Sequence, residues 1–223
     1  MRYITERDLR EQFAGSIPTH YEMPAESMLT PAARQYLMDL KIYQQGSGQQ
    51  MRQAVAGSSK PEHMTHLNAR EMVVKDHPRI LLRGKLDTLE SEILCLEITA
   101  AEPWRSRLND ALLLVRQILA ADVKDCALPE WTLDSMTPEQ IHDYSHHPIH
   151  FGFDGHILPS PEQGLFAAQL NRLRALSREA ELAAVKAWRQ ADRIYHEDCL
   201  LALNRLSSYF YVLQLRAVKE GVR

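Results

Sequence analysis

From Pro78 onward apolar residues recur at intervals of three and four, and this periodicity constrains the fold more than any other feature of the chain. Leu82, Leu86, Leu89, Ile93 and Leu96 fall on one side of a 3.6-residue repeat, so a helix is expected over 80–102, ended by Pro103. Residues 104–123 repeat the pattern through Leu108, Ala111, Leu112, Val115 and Leu119. Thr137-Pro138-Glu139-Gln140 reads as a capped start, with a hydroxyl N-cap, proline at the first helical position and Gln140 at the capping-box position. Ser160-Pro161-Glu162-Gln163 carries the same signature and predicts a long helix to about residue 193, with Leu170, Leu173, Ala180 and Ala184 on its apolar side. A last helix is expected over 197–219. Strand signals are nearly lacking, and each apolar stripe must be buried against another. The expected fold is therefore all-α, a bundle of four to five long helices with an N-terminal extension.

The N-terminal part reads differently, so two regions are expected, 1–63 and 64–223. The first 20 residues offer few periodic signals and are read as an arm. Thr30-Pro31 predicts the start of a short helix to about Tyr43. Residues 44–63 are polar and Gly/Ser-rich, the composition of a flexible linker. A net charge of −3 argues against a nucleic-acid partner. The longest apolar run, Ala111-Leu112-Leu113-Leu114-Val115, is far too short to span a membrane. The opening Met1-Arg2-Tyr3-Ile4-Thr5-Glu6 lacks the apolar core of a signal peptide. Cys95, Cys126 and Cys199 are widely spaced and odd in number, which fits free, mostly buried thiols in a reducing cytoplasm.

Three clusters have chemical potential. Arg174, Arg178 and Glu181 are spaced four and three apart and share one helical face. Two guanidinium forks on one stripe make an anion site, or else a solvated face of ordinary ion pairs. Asn204 opens a mostly apolar turn, where its amide is either a binding group or a satisfied core residue. Residues 142–156 hold His142, His146, His147, His150 and His156. His142 and His146 are four apart, a spacing open to metal ligation, to a structural role or to ligand contact.

Arg174-xxx-Arg178-xx-Glu181, followed by Asn204-Arg205-Leu206-Ser207, resembles the C-terminal half of the PduO/EutT corrinoid adenosyltransferases. Val74-Lys75-Asp76-His77-Pro78-Arg79 and Gly84-Lys85-Leu86-Asp87 are similar to two further blocks of that family, in the same order. Thr65-His66-Leu67, the Ala101-Glu102-Pro103-Trp104 corner and the opening Ile4-Thr5-Glu6 resemble the ethanolamine-utilisation (EutT) branch. The resemblance implies a helical bundle of the cobalamin adenosyltransferase type. It also implies transfer of the 5′-deoxyadenosyl group of ATP to the cobalt of cob(I)alamin, giving adenosylcobalamin and triphosphate.

By the same resemblance, Arg178, Glu181, Asn204, Lys75 and Thr65 contact ATP, with Arg178 and Lys75 stabilising the departing triphosphate alongside Mg²⁺. Asp87 and Arg174 match a salt bridge at a subunit junction, which implies a homotrimer. His156 falls where relatives place an aromatic residue against the corrin. Phe151, Phe153 and Ile157 nearby are expected to supply an apolar wall that eases reduction of cob(II)alamin by a partner reductase. The chemistry suits such residues. A cob(I) centre is itself a strong nucleophile, so the protein need only align C5′ with cobalt and stabilise the leaving group.

Two departures stand out. The family's glycine-rich triphosphate loop is not recognisable in Gly57-Ser58-Ser59-Lys60-Pro61-Glu62-His63-Met64, although Lys60 offers a partial substitute. The His plus Cys-Cys-x-x-Cys metal site of some EutT proteins is absent as well, because no cysteine precedes Cys95, so no structural metal is expected. The missing loop motivates an alternative, a non-catalytic corrinoid or ATP binder on the same bundle. A purely helical interaction protein is the third reading. The resemblance places the chain in the cytoplasm, with a bacterial microcompartment as a further setting.

Overall fold

The computed structural model describes residues 2–15, 17–18, 20–22, 24, 27–30, 32–33, 36–37, 40, 43–45, 61–68, 71–190 and 192–222. The chain divides into two compact units, Met1–Glu62 and His63–Arg223.

The first unit is more than an arm. Strands β1 (Arg2–Ile4) and β3 (Ser27–Leu29) pair in parallel, as do β2 (His20–Glu22) and β4 (Tyr43–Gln45). Helix α1 (Glu6–Gln12) starts at a capping box, in which the Thr5 hydroxyl accepts from the Asp8 N–H and the Asp8 carboxylate accepts from the Thr5 N–H. Ile4, Leu9, Phe13, Tyr21, Leu29, Ala33 and Leu37 form a small buried core. These elements of three to seven residues are too short for a periodic signal, which is why the sequence reads as an arm. The Thr30 hydroxyl accepts from the Ala33 N–H at 3.3 Å, as an N-cap does. Tyr43, the expected helix end, lies in a strand. Pro31, most of the 44–63 segment and Lys60 lie outside the described residues.

The second unit is the bundle. A hairpin of β5 (Met64–His66) and β6 (Met72–Val74) leads into α2 (Pro78–Thr99). After a tight corner come α3 (Trp104–Lys124) and α4 (Pro138–His146). The long α5 (Gly164–Trp188) and α6 (Glu197–Glu220) complete the fold. All five residues of the predicted α2 stripe are buried, as are Leu108, Ala111, Leu112 and Val115 of α3. They join Leu170, Leu173, Ala180, Leu206, Tyr209 and Phe210 in one core. The pair Lys85–Glu179 at 2.8 Å and the pair Arg172–Glu92 at 2.7 Å show that α2 and α5 run antiparallel.

Two boundaries differ from expectation. Pro161–Gln163 is a 3₁₀ turn, Ser160 makes no capping hydrogen bond, and α5 begins only at Gly164. Gly164 has φ +87°, which no right-handed helix can continue through, so the helix restarts after it. The same helix ends at Trp188 and not near residue 193. A two-stranded turn, β7 (Arg189–Gln190) and β8 (Arg193–Ile194), reverses the chain into α6. No described helix is long and apolar enough to cross a membrane.

Candidate functional site

Helices α4, α5 and α6 and the segment 156–159 enclose two adjoining clefts that share His146, Arg178, Ser207 and Ser208. The first, of about 490 Å³, also takes in His142, Glu181, Leu182 and Asn204. The second, of about 320 Å³, is bordered by His156, Ile157, Leu158, Pro159, Arg174 and Tyr211. Arg178 therefore stands between an amide–carboxylate pair on one side and an imidazole–phenol pair on the other.

The local geometry follows from helix spacing. Glu181 lies one turn beyond Arg178 on α5 and faces α6, where the Asn204 side-chain amide donates to its carboxylate at 2.9 Å. The Asn204 carbonyl oxygen accepts from Arg205 at 2.6 Å. Both polar functions of Asn204 are thus oriented, so the residue is a fixed element of the cleft wall. In the second cleft the Tyr211 hydroxyl accepts from the Ile157 N–H at 3.0 Å and lies 3.1 Å from His156 Nδ1. Partial burial raises the Tyr211 pKa above the ordinary value, so the phenol keeps its proton. Tyr211 pins the 156–157 segment to α6 and sets the position of the exposed His156 ring.

The capping box predicted at Thr137 is present, with the hydroxyl accepting from Gln140 N–H and Gln140 accepting from Thr137 N–H. It starts α4, which carries His142 and His146 into the cleft with ring centroids 4.3 Å apart. Desolvation, then the charge of Arg205 and neighbouring His146, lower the His142 pKa.

The sequence-derived residues divide into two groups. Arg174, Arg178, Glu181, Asn204 and His156 are brought together. Thr65, in β5, and Lys75, just after β6, line neither cleft within one chain. Asp87 and Arg174 do not pair within the chain: Asp87 is exposed, and Arg174 donates to Asn171 at 3.0 Å. Phe151 does not wall the cleft. It packs against the bundle core, edge-on to Tyr144, with the Arg216 guanidinium 5.9 Å above its ring. Phe153 also lines neither cleft, and Ile157, Leu158 and Pro159 are apolar residues that border the second.

Periodicity alone missed Tyr211, which lies among apolar residues on α6 and finds its partner 55 residues away. Also missed was Asp122, fully buried on α3, which accepts from Arg79 at 2.9 Å, Arg83 at 2.7 Å and the Trp188 indole at 2.9 Å. A carboxylate on an apolar stripe was the available signal. Among the described residues, two groups offer metal-ligand geometry: exposed Asp143, His147 and His150, and largely buried His196, Asp198 and Cys199.

Comparison with known proteins identifies the family. Residues 56–217 match the family model described as cobalamin adenosyltransferase. The chain is 32% identical to the corrinoid adenosyltransferase EutT of Escherichia coli K12, over 98% of this chain and 93% of that protein. It is 31% identical to the Salmonella typhimurium corrinoid adenosyltransferase EutT over the same shares. Among solved structures, it superposes with a TM-score of 0.57 on a variant PduO-type ATP:corrinoid adenosyltransferase from Lactobacillus reuteri complexed with cobalamin and ATP. That match has 18% identity and covers 71% of this chain and 88% of that one. A second variant of the Lactobacillus reuteri enzyme, complexed with ATP, gives a TM-score of 0.55 at 20% identity, covering 70% of this chain and 89% of that one. The helical bundle, the ordered motifs and the relatives agree: this chain belongs to the cobalamin adenosyltransferase family.

Proposed function

We propose that this chain transfers the 5′-deoxyadenosyl group of ATP to the cobalt of cob(I)alamin, releasing triphosphate. The observation that carries this reading is the placement of Arg178 between the Glu181–Asn204 pair and the His156–Tyr211 pair, on two clefts that share a wall. ATP occupies the Glu181–Asn204 side and the corrin ring the His156 side. The cobalt electron pair forms the new bond to C5′. The C5′–O bond breaks, and its electrons leave with the triphosphate. Arg178 offers a planar fork of donors to that developing charge, with Mg²⁺ entering as part of the Mg-ATP substrate. Ile157, Leu158 and Pro159 form the apolar wall beside the corrin. A reductase supplies the electron that takes cob(II) to cob(I).

Residues 64–223 carry the transferase, and 1–63 are an N-terminal addition. Because Lys75 and Thr65 stand apart from Arg178 in one chain, we place them in the site of a neighbouring copy within a homotrimer, with Asp87 and Arg174 pairing across the junction. Exposed apolar residues on the bundle favour such association, among them Ile98 at 69% and Leu182 at 72% exposure. The resemblance to the EutT branch supports ethanolamine utilisation as the metabolic setting, in the cytoplasm or a microcompartment.

The test is anaerobic mixing of the protein with Mg-ATP and chemically reduced cob(I)alamin, followed by the spectrum of adenosylcobalamin. Arg178→Ala should lower the rate about a hundredfold or more. Bound ATP without product would replace this reading with the non-catalytic binder. Neither binding nor product would leave a helical interaction protein. An unchanged rate in a magnesium chelator would remove Mg²⁺ from the scheme.

A further inference from the structure

A third cavity, of about 940 Å³, lies at the end of the bundle where α3 and α5 finish and α6 begins. It shares no lining residue with the Arg178 clefts. Its wall includes Asp125, Cys126, His196 and Asp198. His196 is only 5% exposed, yet its Nε2 has no hydrogen-bond partner. The nearest carboxylate oxygen, Asp125 Oδ1, is 3.4 Å away. A buried ring nitrogen without a partner is costly, and here it belongs to a residue beside two other donors. One ligand atom from each of His196, Asp198 and Cys199 lies within 4.8 Å of the others.

From this we infer a binding site for one divalent transition metal of the zinc class, held by His196, Asp198 and Cys199, with its fourth position facing the cavity. The donor set is one imidazole nitrogen, one thiol sulfur and one carboxylate oxygen, a combination that suits zinc far better than magnesium or calcium. Tetrahedral ligation at about 2.0–2.3 Å requires donor separations near 3.5 Å, so side-chain rotation brings the three onto one ion. The Cys199 thiol gives up its proton to solvent on binding.

The groups around the site are already oriented. The Asp198 carboxylate accepts from the Cys199 N–H at 2.8 Å and from the Leu128 N–H at 2.6 Å, and in the metal-free chain it also accepts from the Cys199 thiol, whose proton a metal would displace. The Trp188 and Tyr195 rings pack on the imidazole, with centroids 5.2 and 4.9 Å away. Arg79 and Arg189 border the cavity as positive groups, but Arg79 is held by Asp122 at 2.9 Å, while Asp125, Glu197 and Asp198 are the facing carboxylates. Because Asp198 also grips the loop after α3, the metal clamps that loop to the start of α6. Binding to the folded chain alone then stabilises it by mass action.

The test uses the whole chain, stripped with a chelator and kept free of corrinoid, titrated with Zn²⁺ and separately with Co²⁺. One Zn²⁺ per chain should survive gel filtration. At a hundredfold excess over Kd the thermal midpoint should rise by about 5–10 °C. Co²⁺ should give a sulfur-to-cobalt charge-transfer band. All three signals should persist in His147→Gln/His150→Gln, which removes the exposed histidine cluster, and the band should persist in Cys126→Ser. Cys199→Ser should lose the band and the bound equivalent. If that variant does not fold, the wild-type spectrum still decides. A wild-type Co²⁺ complex without the band overturns the proposal. So does a band lost in Cys126→Ser, or a Zn²⁺ equivalent lost in the His147/His150 double variant.

Discussion

Asn204 illustrates how one side chain is fixed for a task. Its amide donates to Glu181 at 2.9 Å and its carbonyl accepts from Arg205, so both ends are held at the cleft wall. Asn204→Ala removes the donor and frees the Glu181 carboxylate to turn. Hydrogen bonds to charged groups are worth about 1.5–3 kcal/mol, so the KM for ATP should rise about tenfold to a hundredfold, with a smaller change in kcat. Steady-state kinetics with ATP varied at saturating cob(I)alamin checks this, and an unchanged KM would remove Asn204 from the nucleotide site. Asp122 has a different role. It is fully buried and accepts from two arginines and an indole, so Asp122→Ala takes the carboxylate away from Arg79, Arg83 and Trp188 and leaves the two guanidiniums only backbone carbonyl partners. The expected loss is about 3–5 kcal/mol, read from the midpoint of chemical denaturation. The convergence of Arg178, Glu181 and Asn204 on one cleft was legible in the sequence, because helical spacing puts Arg178 and Glu181 on one face and the ordered motifs point to Asn204. Phe151 was not, because a 3₁₀ segment gives an aromatic ring no periodic cue to which side it faces.

At the scale of elements, the helices were legible where apolar stripes run long, and their ends only where a cap has a definite chemistry. Thr137 and Ser160 begin the same four-residue signature, yet only Thr137 caps a helix. The difference lies at Gly164, whose positive φ breaks the path from the 3₁₀ turn into α5. Thr137→Ala should therefore cost about 1 kcal/mol, whereas Ser160→Ala should leave stability nearly unchanged. Paired thermal melts distinguish the two, and equal losses would contradict this assignment of caps. Gly84 offers the opposite case. It lies inside α2, and a Cβ there would meet nothing within 4 Å in its own chain. Gly84→Ala should raise stability by about 0.5–1 kcal/mol, because alanine lowers the entropy lost on helix formation. Destabilisation would mean that another copy closes against this turn.

At the scale of the whole molecule, the proposed homotrimer divides the site between two copies. The Arg178 clefts lie among α4, α5 and α6, while Thr65 and Lys75 lie on or beside the hairpin that precedes α2 and line neither cleft. Nothing in the sequence of one chain states which copy supplies a residue, since spacing fixes neighbours along a helix and not across a symmetry axis. If the site closes between copies, chains with different lesions must repair one another. In the proposed homotrimer, Lys75→Ala and Arg178→Ala should each disable the site. A one-to-one mixture, unfolded and refolded together, creates junctions in which an intact Lys75 from one chain meets an intact Arg178 from the next. Random assembly gives such junctions at about a quarter of all sites, so activity should return to about a quarter of the wild-type value. Mixing the two variants after folding should restore less, in proportion to subunit exchange. Recovery absent from the co-refolded mixture, with trimers present by sedimentation, would put Lys75 and Arg178 in the same copy's site or leave Lys75 outside the chemistry.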